Sequence, residues 1–159
     1  MVQVDEELKF IADVHLGKLT KYLRMCGFDT CFNTHYADNE IISISKLERR
    51  VILTRDKELL KNRKVIHGLL IKSQYPEQQL IEVLQHFDLK NQVRPCTRCL
   101  NCNDILGEVS KEKIEDRLLP NTHQFYMEFS ICPNCNNIYW KGSHFERINK
   151  FIDRVIMNC

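Results

Sequence analysis

Short apolar runs alternate along the first half of the chain with segments whose apolar residues recur every three or four positions. The runs predict strands at Leu8–Ala12, Phe28–Phe32, Val51–Thr54 and Val65–Ile71. The helical spacing predicts helices over Leu16–Cys26, Asp38–Leu47, Lys57–Leu60 and Pro76–Phe87. Strands that alternate with helices predict an α/β fold, with a mostly parallel sheet flanked by helices and joined by right-handed crossovers.

The second half of the chain has a different pattern. Asn91–Pro95 is typical of a linker, and the cysteines that follow it come in pairs. Ser110–Leu119 predicts a helix between the pairs, and His144–Met157 predicts an amphipathic helix that docks back on the body. We therefore predict two units, residues 1–90 and residues 94–159, the second being a small metal module with a C-terminal helix.

Size and charge narrow the function. The chain has 159 residues, of which 43% are apolar, enough for one core and a small appended module. Its net charge of +2 gives no strong field for nucleic acid, so any such binding must come from local patches. Met1–Glu7 is acidic and lacks the layout of a secretion signal, and no apolar run is long enough for a membrane span. We expect a soluble cytoplasmic protein without a membrane partner.

Three aspartates follow or precede the predicted elements at one edge of the sheet. Asp13 follows the first strand, Asp38 precedes the second helix and Asp56 follows the third strand. A right-handed α/β winding gathers such positions at the carboxyl edge, where ligands bind. Because several close carboxylates repel one another, we expect a divalent cation between them, and oxygen ligands favour Mg²⁺ or Mn²⁺. Such an ion suits hydrolysis of a nucleic-acid backbone.

A structural alternative exists for these acids. Asp38 and Asp56 both stand where a helix N-cap belongs, and a capping aspartate is explained without catalysis. Asp29 and Glu40 are candidates for a fourth acid, although Asp29 also suits a turn.

Basic residues near the acids are candidate phosphate contacts. Arg24 lies on one predicted helix face, and Arg55 precedes Asp56. Lys141 follows Trp140, so that an aromatic ring and a cation are available for RNA, although core packing of the ring is the alternative.

Two CxxC pairs give the most specific chemical signal. Cys99, Cys102, Cys132 and Cys135 can close a tetrahedral zinc site with no open position, which makes the zinc structural. The gap between the pairs exceeds the roughly 15 to 20 residues of compact sites. Cys96 could replace one ligand, and a redox CxxC is the rival interpretation.

Several motifs occur in the order of one known family. They are Ala12–Leu19 (ADVHLGKL), Leu23–Asp29 (LRMCGFD), Leu53–Asp56 (LTRD), Arg98–Asn103 (RCLNCN) and Tyr139–His144 (YWKGSH). The chain thereby resembles the Mut-seven C-terminal RNase family, which combines a PIN-like nuclease fold with a zinc ribbon. The resemblance implies a metal-dependent ribonuclease with Asp13, Asp38 and Asp56 at the acidic positions, structural zinc, catalytic Mg²⁺ or Mn²⁺, and RNA as partner.

Two other functions stay open at this point. A catalytically inactive zinc-ribbon adaptor that binds RNA would fit the near-neutral charge, and a toxin-like nuclease would require an antitoxin. The C-terminal helix is a candidate for core cover or for dimerisation.

Overall fold

Four short parallel strands form a sheet in the first half of the computed structural model, which describes residues 6–159. In chain order they are β1 (Phe10–Ala12), β2 (Thr30–Cys31), β3 (Val51–Thr54) and β4 (Gly68–Leu70), and their spatial order is β2-β1-β3-β4. The two central strands, β1 and β3, are buried along their whole length, as expected for a parallel sheet covered on both faces. The prediction of a mostly parallel sheet is confirmed.

Helices cover both faces of this sheet. They are α1 (Gly17–Met25), preceded by a 3₁₀ turn at Val14–Leu16, then α2 (Asp38–Glu48), α3 (Lys57–Lys61) and α4 (Pro76–His86). The alternation of the strands divides the core: Phe10 packs with α1 and α4 on one face, and Ile11 packs with α2 and α3 on the other. The predicted α/β alternation is confirmed, with boundaries shifted by a few residues.

The second half contains a small antiparallel sheet. Its strands are β5 (Gly107–Val109), β6 (Phe129–Ile131) and β7 (Ile138–Trp140), in the order β5-β6-β7. The helix predicted over Ser110–Leu119 is wrong, because this segment forms two 3₁₀ turns, and the helix α5 begins only at Pro120 and ends at Phe125. Proline disfavours a helical residue before it, and Leu119 is extended at ψ 151°.

The C-terminal helix α6 (Ser143–Met157) returns to the first half of the chain. Ile152 and Val155 are buried in the same core as α1 and α4, and Arg154 binds Glu77 of α4 through two hydrogen bonds of 2.9 and 3.0 Å. The predicted docking of this helix is confirmed. The division between residues 1–90 and 94–159 stays a prediction, since α6 crosses it, and residues 1–5 lie outside the described part of the chain.

The two halves meet at the amino edge of the parallel sheet. Helix α1 begins near the end of β1, at the carboxyl edge, and runs back to the amino edge, where the chain turns at Gly27. Gly27 has φ +92°, and a Cβ there would collide with the carbonyl of Arg94. Arg94 donates its N–H to the carbonyl of Cys26 at 2.8 Å. A side chain at position 27 would therefore push the two halves apart.

Candidate active site and metal centre

Two cysteine turns face each other in the second half of the chain. The Sγ atoms of Cys99, Cys102, Cys132 and Cys135 all lie within 4.8 Å of one another. The Sγ–Sγ distances are 3.5 Å between Cys99 and Cys135 and 3.2 Å between Cys102 and Cys132. A zinc ion with four Zn–S bonds of about 2.3 Å needs sulfur–sulfur edges of roughly 3.8 Å, close to these distances. The four thiols therefore fit a metal ion such as zinc.

The two cysteine turns have the same local geometry. In each turn the asparagine after the second cysteine is left-handed, Asn103 at φ +75° and Asn136 at φ +60°, and each donates its N–H to the carbonyl of the first cysteine. Asparagine tolerates this conformation better than most residues. The Cys-x-x-Cys-Asn pattern is thus the sequence signal for both turns. Cys96 lies outside the cluster, so the four cysteines favoured from the sequence are those that the fold brings together.

The surroundings of the Cys102 thiol favour its thiolate form. Burial alone would raise the pKa of the Cys102 thiol. Hydrogen bonds, including one from the backbone N–H of Asp104, lower this pKa to about 6. Metals bind thiolates rather than thiols, so these backbone and side-chain hydrogen bonds favour the ligating form of Cys102 at neutral pH.

A separate depression lies at the carboxyl edge of the parallel sheet. It has a volume of about 470 Å³, and its lining residues are Asp13, Val14, His15, Tyr36, Asp38, Arg55 and Asp56. We call it the acidic pocket. All three aspartates selected from the sequence line it, together with Arg55. Asp13 is buried, whereas Asp38, Arg55 and Asp56 are exposed.

Thr54 joins two of the aspartates. Its buried hydroxyl donates to Oδ2 of Asp13 at 2.8 Å and accepts the backbone N–H of Asp56 at 2.9 Å. Asp56 is also the N-cap of α3, where Oδ1 accepts the N–H of Glu58 at 2.8 Å. One carboxylate oxygen of Asp13 and one of Asp56 therefore remain for other ligands.

Asp38 is not the N-cap of its helix, in contrast to the structural alternative considered for it. Ala37 holds that position, and Oε2 of Glu40 accepts the Ala37 N–H at 2.8 Å. Asp38 is the first residue of α2, where the helix dipole favours a carboxylate. Within residues 6–159 no hydrogen-bond donor contacts its side chain. Glu40 is thus used as a cap, and the Asp38 carboxylate is available to a ligand.

The acidic pocket is wider than the cysteine cluster. In the part of the chain that the structure describes, only the four cysteines bring three or more ligand atoms within 4.8 Å of one another. Mg²⁺ usually keeps several waters and is held by one or two carboxylates. The donor set of the pocket, three carboxylates with free oxygens, therefore fits a hydrated divalent cation rather than a fully protein-coordinated one.

Comparison with known proteins gives one match. The family described as the Mut7-C RNAse domain matches residues 8–152, nearly the whole chain. This chain belongs to the Mut7-C RNAse domain family. No curated protein and no solved structure matches it. The family suggests a ribonuclease-like function, with RNA as substrate or partner. Every helix within residues 6–159 is too short or too polar to cross a bilayer.

In this Mut7-C domain Arg24 lies away from the acidic pocket, at the opposite end of α1. The side chain is buried, and its guanidinium donates to the carbonyls of Thr30, Leu100 and Asn101 at 3.0 to 3.1 Å. Burial lowers the pKa of Arg24. Because backbone carbonyls of the chain accept from its Nε and Nη1 and it does not line the acidic pocket, Arg24 does not enter the substrate site proposed below.

Asp29, the other candidate for a fourth acid, also lies outside the acidic pocket. It pairs with Arg50 at 2.6 Å and accepts the Asn103 amide at 2.7 Å. Burial alone would raise the pKa of the Asp29 carboxyl. The hydrogen bonds from Arg50 and Asn103 outweigh this effect and hold the pKa below its ordinary value.

Lys141 lies at a second surface of the Mut7-C domain. A groove of about 1160 Å³ runs between the antiparallel sheet and the start of α6, and its aromatic lining residues are Tyr126, Phe129, Tyr139, Trp140 and Phe145. The Nζ atom of Lys141 is 5.7 Å from the ring centroid of Phe145 and 3.7 Å from the carboxylate of Glu128, and all of these groups line the groove. Trp140 is 39% exposed.

Three polar residues in or beside the acidic pocket were not predicted from the sequence. His15 and Tyr36 line it, and Thr54 is bonded to Asp13 and Asp56. Thr54 could have been predicted from the sequence, because it ends a buried strand two residues before an aspartate. A hydroxyl at that position can bond to the backbone of Asp56 and to the carboxylate after the neighbouring strand. His15 follows Asp13 so closely that a place in the same pocket could have been expected. Tyr36 carried no signal, since its place depends on how the loop after β2 folds over the sheet edge.

Proposed function

We propose that this protein is a ribonuclease that hydrolyses RNA phosphodiester bonds with a divalent cation, Mg²⁺ or Mn²⁺, in the acidic pocket. The observation that supports it is the lining of one depression by Asp13, Asp38, Asp56 and Arg55, in a chain of the Mut7-C RNAse domain family. When bound, the cation would activate a water molecule and stabilise the charge that develops on the phosphate.

The protein side chains have separate roles in this proposal. Asp13 and Asp56 would hold the cation, since each keeps a carboxylate oxygen that Thr54 or the α3 cap does not use. Asp38 would complete the site or orient the attacking water. Arg55, exposed at the rim, contacts a phosphate oxygen of the substrate through its guanidinium. Thr54 fixes the carboxylate of Asp13 and prevents it from turning away.

The unit proposed over residues 94–159, which we call the cysteine module, has two roles in the proposal. Zinc bound by Cys99, Cys102, Cys132 and Cys135 stabilises the fold of residues 94–159. The aromatic groove beside it takes unpaired bases, because the exposed ring of Trp140 can stack on any base and Lys141 adds a cation for phosphate. In this proposal residues 1–90 carry out the cleavage, and residues 94–159 provide part of the RNA-binding surface.

The decisive test is cleavage of single-stranded RNA in the presence of Mn²⁺ by the wild-type chain and the Asp13→Asn variant. We expect the variant to lose at least about 100-fold in rate, because it loses a charged ligand of the cation that stabilises the developing charge. Asp153→Asn, which changes an exposed acid of α6, is the matched control and should keep full activity. Equal activity of Asp13→Asn and wild type would refute the proposal, and far-ultraviolet dichroism checks the fold.

An adaptor function is the second candidate, and the wide spacing of the carboxylates favours it. If the acidic pocket binds no cation, the chain could still hold RNA through the groove without cleaving it. Calorimetric titration with Mn²⁺ separates the two functions. No Mn²⁺ binding together with salt-dependent RNA binding would establish the adaptor.

A further inference from the structure

The cysteine turn of residues 99–102 is attached to the open edge of the parallel sheet. β2 is the edge strand of this sheet. The backbone N–H and carbonyl of Thr30 face away from β1, and both are hydrogen-bonded within the protein. Nε of Arg24 donates to the Thr30 carbonyl at 3.0 Å, and Nη1 donates to the carbonyls of Leu100 and Asn101, the two residues between Cys99 and Cys102. Arg24 thus bridges the sheet edge and the cysteine turn.

Asn103 makes the second attachment. Its side-chain Oδ1 accepts the backbone N–H of Thr30 at 2.8 Å, and its Nδ2 donates to Asp29 at 2.7 Å. Asn103 directly follows Cys102, and its left-handed backbone is part of the cysteine turn. Both backbone groups of Thr30 are therefore held by residues that contact or belong to this turn. The turn takes the place that a further strand would have at this edge.

β2 leads from this attachment to the acidic pocket. It is two residues long, with Thr30 at the amino edge and Cys31 beyond it. The Sγ atom of Cys31 is 3.8 Å from the hydroxyl of Tyr36, which lines the acidic pocket two residues before Asp38. Asp13 and Asp56, in contrast, follow the central strands β1 and β3 and are linked by Thr54. Of the three aspartates, Asp38 is the one that follows the edge strand.

We infer that Arg24 and Asn103 are positioning residues that lock the cysteine turn onto β2 and so place Asp38 in the acidic pocket. The inference rests on the proposed function for the role of Asp38, but the placement itself can be tested without activity. The metal that the four cysteines fit would keep the turn closed. The turn then holds β2, from which the chain continues through the loop with Tyr36 to Asp38 at the start of α2.

The first test uses backbone amide NMR of the zinc-loaded full chain. Asn103→Ala removes both side-chain bonds, and we expect shifts to extend from Thr30 and Cys31 to Tyr36 and Asp38 while the amide of Asp56 stays unchanged. The matched control is Asn101→Ala, an exposed asparagine of the same turn whose side chain makes no hydrogen bond within the described residues. Shifts confined to residues 29–30 in Asn103→Ala would overturn the inference.

The second test is a double-mutant cycle measured by Mn²⁺ titration. We expect Asn103→Ala to weaken Mn²⁺ binding about 10-fold at unchanged zinc content, the lower end of the usual effect of residues that orient metal ligands. In an Asp38→Asn background the same change should cost nothing further, because Asn103 acts through Asp38. Equal losses in both backgrounds would show general destabilisation and overturn the inference.

Arg24→Lys covers the case in which Asn103→Ala does not fold. It keeps the charge but loses the fork that contacts three carbonyls. We expect the same pattern of amide shifts and the same dependence on Asp38, and their absence would count against the inference. If the wild-type chain binds no Mn²⁺, the proposed function fails, and the NMR result alone decides whether Asp38 is placed through β2.

Discussion

The cysteine cluster and the acidic pocket are both candidate metal sites, but they are built in opposite ways. The four sulfurs converge within 4.8 Å and two of the cysteines are fully buried, whereas the carboxylates stand wider apart in an open depression. A closed site with every position taken suits an ion that holds a fold together. An open site leaves room for water and substrate, which is what hydrolysis needs.

The largest expected effect concerns the closed site. Cys132→Ser should release zinc and unfold the cysteine module, because metal binding energy becomes folding energy in such units. We expect zinc loss by metal analysis and a large drop in the temperature of unfolding by calorimetry. Removing Mg²⁺ or Mn²⁺ from wild type should leave that temperature almost unchanged. If both treatments lowered it equally, the contrast between the two sites would be wrong.

The next prediction concerns Asp29, which links Arg50 of the first half of the chain to Asn103 of the second. Its folded-state pKa is held below the ordinary value of 3.8, so the bonds from Arg50 and Asn103 stabilise the fold above that pH and are lost as pH falls through the lower folded pKa. Asp29→Asn should cost about 2 kcal/mol at neutral pH, the value of a hydrogen bond to a charged group.

Denaturant unfolding as a function of pH checks the Asp29 prediction. The difference in stability between wild type and Asp29→Asn should shrink as the pH falls below about 4. A difference that does not vary with pH would mean that the charge of Asp29 is not what holds the junction.

A smaller effect is expected in the open site. Thr54→Val keeps the shape of the side chain but removes the hydroxyl that bonds to Asp13, so the carboxylate is no longer fixed. We expect Mn²⁺ binding to weaken about 10-fold and cleavage to fall with it. Thr54→Ser, which keeps the hydroxyl, should restore most of both. Wild-type Mn²⁺ affinity in Thr54→Val would show that the pocket needs no such orientation.

The smallest expected effect is at the aromatic groove. Lys141 is largely exposed, and its pair with Glu128 is screened by water, so Lys141→Ala should change stability by less than about 1 kcal/mol. RNA affinity should fall modestly, and the slope of its salt dependence should decrease by about one. An unchanged slope in filter binding would remove Lys141 from the RNA surface.

The sequence predicted the elements that carry their own apolar pattern. Val51–Thr54 is a strand with the predicted ends, and α6 differs from the predicted helix by one residue. The helix prediction over Ser110–Leu119 was wrong because the charged residues of this segment favour a helix but are not joined by a continuous buried apolar face. Ile114 is buried there, while Leu119 is 73% exposed and precedes a proline.

The position of Arg24 could not be predicted from the sequence. Its spacing from Lys18 and Lys21 marks a helix face, but not which end of that helix meets another part of the chain. Carbonyls more than seventy residues away decide its role. Local patterns place an element, whereas contacts between distant segments place its side chains in a site.

The course of α1 sets a distance between the acidic pocket and the cysteine module. The helix begins beside the acidic pocket and ends where the two halves of the chain meet, and its nine residues span roughly 14 Å. In the proposed function, an RNA that contacts both the acidic pocket and the aromatic groove must extend past this helix. A fragment too short to do so would be held at the acidic pocket alone, so the enzyme proposed here would favour longer RNA over the shortest fragments.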